Sequence, residues 1–390
     1  MNPFKTFFIG GYECADLVNK FGDRVDLLRK TAHDTHVIED YTLLAAAGIK
    51  TVREGIRWSV VEKSPGVYDF TEVKNRLLAA QRCGIQQLWD ICHFGYPEGL
   101  MPTHPRFAER LAGVSKAFAE LYRHHTEDPL IITPVNEISF LSWLGGDARG
   151  TVPFATGCGF DQKYHLCKAA IKAIEAVRSV DPAAQIMMVE PLIRVHPKVG
   201  EDTCAAITDF NEAQFQAMDM ITGAMCPELG GRPEYMNLAG FNFYYNNQWE
   251  HEGGVLGWCT VKRRACFSEL LEEAYLRYNI PVVLSETGHF GEDKSAWMEQ
   301  ITADCIKAME KGVDLKGLCI YPVLDRPDWD FLDQMIPCGI WSYNRLHERI
   351  EDNEYLQTVQ ACHSTLEAFA RLALAQKEEA QLRRIDPVNN

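Results

Sequence analysis

The 390-residue chain carries 39 Lys and Arg against 54 Asp and Glu, a formal net charge of −15. That balance argues against a nucleic-acid partner, which needs clustered cations to neutralise phosphates, and it suits a neutral or cationic small molecule. Hydrophobic residues make up 46% and charged residues 24%, enough to bury a large core.

The start, Met1-Asn2-Pro3-Phe4-Lys5, lacks the basic head and apolar centre of a signal peptide, and no window reaches the ~18 uninterrupted apolar residues of a membrane span. A cytoplasmic protein with no membrane partner is therefore expected. Oligomeric state has no signature in the sequence. The thirteen cysteines are odd in number, and several (Cys92, Cys167, Cys319) sit in apolar stretches, so reduced, buried thiols are expected. No pair has C-x-x-C spacing.

Residues 4–10 read as a first strand, followed by a polar segment and a helix with Val37, Tyr41 and Leu44 on one face, stopped by Gly48. Residues 49–53 form the second strand. The pattern then repeats: helix 71–82, Gly84, strand 85–91; helix 105–125, strand 130–135; helix 163–180, strand 185–190. A helical pattern over 204–220 and a Gly-rich turn precede strand six at 238–244. Helix 267–278 leads to strand seven from Pro281, and helix 294–311 leads through Gly312 to strand eight at 318–322. A closing helix runs from about residue 355 past 374.

Eight strands alternating with helices predict an α/β fold, the (β/α)8 TIM barrel; a doubly wound sheet would alternate in the same way. No linker composition divides the chain. One catalytic barrel over residues 1–375 is expected, with 376–390 as a charged helix end or tail.

Two strands end in the same unusual manner. Leu130-Ile131-Ile132-Thr133-Pro134-Val135 runs into Asn136-Glu137, and Val282-Val283-Leu284-Ser285 runs into Glu286. A buried carboxyl is costly unless paired or hydrogen-bonded. A strand-to-loop salt bridge explains one such residue; two at the carboxyl ends of barrel strands four and seven point to catalysis. Paired carboxyls of this kind perform glycoside hydrolysis, one as acid and one as nucleophile or base.

These residues carry a resemblance. Thr133-Pro134-Val135-Asn136-Glu137 is similar to the Thr-x-Asn-Glu-Pro acid/base motif of the family 1 glycoside hydrolases, in the clan A of retaining (β/α)8 enzymes, and Leu284-Ser285-Glu286-Thr287-Gly288 to their Ile-Thr-Glu-Asn-Gly nucleophile motif. Val52-Arg53-Glu54-Gly55-Ile56-Arg57-Trp58, Cys92-His93-Phe94-Gly95-Tyr96-Pro97, Gly240-Phe241-Asn242-Phe243-Tyr244 and Tyr321 to Trp329 resemble further family motifs in the right order.

The resemblance implies a β-glucosidase-like retaining enzyme. Glu137 and Glu286 would be catalytic, Arg53 and Tyr244 would support the nucleophile, and His93, Asn136, Asn242, Asp328 and Trp329 would bind the sugar of a small glycoside or oligosaccharide, with no cofactor and no metal. A non-catalytic sugar-binding barrel and a transglycosylase using the same two carboxylates fit the same motifs. Without the resemblance, Arg53 also reads as a rim ion-pair residue, His93 as a core histidine and Tyr244 as packing. His33, His36, His124 and His125 read as loop and helix-surface residues. The departures fall on the sugar side: Ile138 replaces the motif's proline, no glutamine follows the first strand, Tyr321 stands for Trp, and Asp328 stands for Glu.

Overall fold

The computed structural model describes residues 2–259 and 263–385. Among them eight parallel strands close into a barrel: β1 (Phe8–Gly11), β2 (Thr51–Gly55), β3 (Gln86–Cys92), β4 (Ile131–Val135), β5 (Gln185–Pro191), β6 (Leu238–Asn242), β7 (Val282–Thr287) and β8 (Leu315–Ile320). Each pairs with the next, and β8 returns to β1 through Phe8↔Leu318 and Gly10↔Ile320. The fold is thus the (β/α)8 barrel, not a doubly wound sheet. Apart from the single turns Leu27–Lys30 and Trp58–Val61, the α-helices of the described residues are α1 (His33–Ala46), α2 (Thr71–Cys83), α3 (Phe107–His125), α4 (Ile138–Gly146), α5 (Gly159–Val180), α6 (Ala205–Ala213), α7 (Gln216–Thr222), α8 (Phe267–Tyr278), α9 (Lys294–Glu310) and α10 (Asn353–Ile385).

Side-chain alternation builds two cores. Residues facing inward pack as a small central cluster of Phe4, Ile9, Leu88, Ile131, Met187, Val189, Leu238, Val283, Cys319 and Tyr321, while the opposite faces join the helices in a larger outer core. Two to four residues further along two of the strands, the inward face changes from apolar to polar: Leu88 is followed by Asp90, and Leu238, past Gly240, by Asn242. The barrel is therefore sealed below and chemically furnished above.

Several element boundaries differ from the sequence expectation. β2 begins at Thr51 because Ile49 donates its N–H to Leu44 O at 3.1 Å, closing α1 rather than entering the ladder. β8 ends before Pro322, which has no N–H to donate. The single pattern over 204–220 divides into α6 and α7. Helix α4 was not expected: it is apolar on most sides, and the residue before it, Glu137, caps no backbone N–H with its side chain. α10 continues past residue 375 to Ile385.

His33 is a correction. It opens α1 wholly buried, with Nδ1 2.6 Å from Asp40 and Nε2 2.9 Å from Glu54. Two carboxylates at that depth recruit a third polar group, and the ring cannot remain at the surface. All thirteen cysteines are free, seven of them buried, but Cys204, Cys259 and Cys266 are exposed. Among the described residues no helix is long and apolar enough to cross a membrane.

Candidate active site

Arg53 lies at the centre of the site. Inward-facing on β2 and buried, it uses all five N–H groups. Nη1 donates to Glu286 Oε1 at 2.5 Å and to the Ser285 carbonyl at 3.0 Å; Nη2 donates to Asn136 Oδ1 at 2.7 Å and lies 2.7 Å from Asp90 Oδ2; Nε donates to Asp90 Oδ1 at 3.2 Å. One guanidinium therefore ties β2 to β3, β4 and β7. Burial alone would weaken its charge, but Asp90 and Glu286 more than offset this and raise its pKa well above the ordinary value.

Glu286, near the end of β7, is held on both oxygens, since Tyr244 donates its hydroxyl to Oε2 at 2.7 Å. A register shift between Leu284 and Glu286 against β6 pairs Glu286 with Asn242. Tyr244 itself is kept protonated, by burial first and then by the Glu286 charge.

Glu137 is in the opposite situation. Its backbone is pinned by a bond from its N–H to Val189 O at 3.0 Å, and its φ of 45° turns the chain from β4 into α4. Its side chain is 9% exposed. Burial, then the Glu286 charge, pushes its pKa up to about 8, and the Asn242 amide only partly offsets this. The Nδ2 of Asn242 is buried without a full hydrogen bond, while its Oδ1 accepts from Ser285 Oγ at 2.7 Å. The two carboxyls thus sit in different surroundings: Glu286 is clamped by a cation and a phenol, and Glu137 makes no salt bridge among the described residues.

The predicted sugar-side residues are not all placed alike. His93 sits beside the centre, Nδ1 2.8 Å from Asp90 Oδ2 and Nε2 3.4 Å from Asn136 Nδ2. Its Nε2 is also 3.3 Å from the Tyr321 hydroxyl, which donates to Glu13 Oε1 at 3.3 Å. Trp329 packs edge-on against Phe94 at 5.4 Å, and its Nε1 is buried without a partner. Asp328 is drawn into its own loop, where Oδ1 accepts from the N–H groups of Asp330 and Phe331 at 2.8 and 3.0 Å.

Three members of the site were missed in the sequence. Asp90 had a signal: a carboxyl inside the buried run of β3 needs a cation, and Arg53 is on the adjacent strand. Glu13 follows β1 and reaches Tyr321 and, at 3.3 Å, Arg326 Nε; with no strand around it, it had none. Tyr321 was noted only as a substitution. Cys14, Asp90 and His93 offer donor atoms within 4.8 Å of one another. Both Asp90 oxygens, however, are already bonded to Arg53 and His93, so a cation there would have to displace the arginine that holds Glu286.

Neither a protein-family model nor a curated protein matches the chain. Solved structures do match in shape. The β-glucosidase of Thermotoga maritima in complex with methoxycarbonyl-substituted glucoimidazole superposes with a TM-score of 0.71 at 16% identity, covering 85% of this chain and 87% of that one. The same enzyme with cyclophellitol gives 0.70, and the structure described as its family 1 β-glucosidase gives 0.69, both at 16% identity and the same coverage. The chain therefore has the barrel fold of the family 1 β-glucosidases.

Proposed function

We propose that this protein is a retaining β-glycosidase, β-glucosidase-like, that hydrolyses a β-glycoside through a covalent glycosyl-enzyme. The observation that carries the reading is the contrast between the two buried carboxyls: Glu286 bound by Arg53 and Tyr244, and Glu137 raised to about 8, with the His93 charge only partly opposing burial and the Glu286 charge. A protonated Glu137 supplies its proton to the glycosidic oxygen while the Glu286 carboxylate attacks the anomeric carbon. Glu137, now ionised, then takes a proton from the water that releases the sugar. Asn136, Asn242, His93 and Asp328 bind hydroxyls, and Trp329 lies against the ring. No step calls for a metal or organic cofactor.

The acid role is tested by Glu137→Ala. Turnover of aryl β-glycosides with poor leaving groups should fall by ~10²–10⁴, and that of activated ones far less; an equal loss on both would reject it. One observation favours a second outcome of the same chemistry. Phe94, Phe140 and Trp143 run outward from His93 with centroid separations of 5.5 and 5.8 Å, and Trp143 is 50% exposed. Such a surface suits an aglycone or an acceptor sugar, so product analysis with added alcohols separates transfer from hydrolysis.

A further inference from the structure

Glu190, near the end of β5, is a buried carboxyl that the reaction above leaves unused. It is one residue out of phase with Val189, which faces the barrel interior, so its side chain points into the helix layer. There it is wholly buried, and its oxygens accept from the Ser139 N–H at 3.0 and 3.3 Å. Ser139 is the second residue of α4, whose first turn presents N–H groups that have no acceptor within the helix. The residue preceding that turn is Glu137, and its own N–H is bonded to Val189. β5 therefore grips the acid twice, by its backbone through Val189 and through the helix that follows by Glu190.

We propose that Glu190 is a positioning residue for the acid: it seats the first turn of α4 and sets a titratable charge behind Glu137 without touching the reacting atoms. The proposal rests on the reading of Glu137 as general acid. The groups facing Glu190 are the N–H groups of Ile138 and Ser139, the Lys163 charge from α5, and the Cys167 thiol. Lys163 Nζ is itself bonded to Ala213 O at 3.2 Å and Gln216 Oε1 at 2.9 Å. Those facing Glu137 are Glu286, Asn242, Glu190, His93 and Tyr244. Burial pushes Glu190 up to about 7, so it ionises just below Glu137, and its charge opposes ionisation of the acid. The two titrate as a pair.

Glu190→Gln keeps the acceptor for Ser139 and removes the charge. The alkaline limb of kcat/KM should move to lower pH by about half a unit to one unit, with little change at the plateau. The same shift should appear in the titration of the Glu137 carboxyl followed by NMR on protein labelled with 13C at the Glu side-chain carboxyl, its resonance assigned with Glu137→Gln. Lys163→Gln should shift it in the same direction, because loss of the cation keeps Glu190 neutral, and it serves if the first variant does not fold. A limb and a resonance that titrate as in the wild type would overturn the proposal. If the wild type turns over no glycoside, the glycosidase reading fails, and the NMR titration alone decides on Glu190.

Discussion

Arg53 is the residue on which the site's electrostatics turn. It neutralises Asp90 and Glu286 together, and removing one member of a buried ion cluster leaves the others charged and unpaired. Arg53→Met should therefore lower stability by about 3–5 kcal/mol in denaturant unfolding and abolish turnover. Arg53→Lys should keep more of the stability than of the activity, since an ammonium cannot reproduce five fixed donors. At Glu137 the raised pKa gives a second expectation. The acid must be protonated to act, so kcat/KM should fall as pH rises through about 8. That limb should be absent in Glu137→Ala assayed with an activated leaving group.

At the scale of elements, β1 and β8 depend on a close approach. A Cβ on Gly11 would lie 2.1 Å from Cδ2 of Tyr321. Gly11→Ala must displace that ring and with it the hydroxyl between His93 and Glu13, costing about 1–3 kcal/mol. KM should rise more than kcat falls, as measured with any aryl glycoside that the wild type accepts. On the outer face, β2 is tied to α1 and α2 by Glu54, which bonds His33 at 2.9 Å, the Tyr41 hydroxyl at 2.5 Å and Arg76 at 2.5 Å.

The elements also show what could be read in advance. β4 and β7 were legible because a buried apolar run that stops at a carboxyl is chemically conspicuous. α4 was not, because a short, largely apolar helix entered through a left-handed Glu137 offers neither a clear amphipathic period nor a side-chain cap. His33 looked like a surface residue and Glu54 drew no reading, since nothing in one sequence reveals that two distant polar groups are buried against each other.

For the whole molecule the barrel was legible from the repeated helix, glycine and strand, as that rhythm follows from local chain chemistry. The lining of the site depends on which strands become neighbours around the closed sheet, so Arg53 and Tyr244 came only through the resemblance, and Asp90 and Glu13 did not come at all. The buried carboxyls also set the response of stability to pH. Glu137, Glu190 and Asp16 have folded pKa values of about 8, 7 and 6, each raised first by burial. Their protonated forms favour the fold, so this contribution is complete below the ordinary carboxyl range and is lost as pH rises through those values. Glu54 acts in the opposite sense: against burial, His33 and Arg76 lower it to about 2, so its contribution is present above about 4.5 and is lost toward pH 2. Thermal unfolding should give a Tm that declines from about pH 5 to 8, and Glu137→Gln should flatten the alkaline part of that decline.

The central claim is that Glu286 becomes covalently bonded to the sugar. Incubation of the wild type with a panel of 2-deoxy-2-fluoro β-glycosides bearing good leaving groups, followed by peptide mass spectrometry, tests it most directly. The account predicts that one fluorosugar mass appears on the peptide containing Glu286, and that Glu286→Gln takes up none. Label on another residue, or intact glycoside bound at full occupancy with no label, would contradict it.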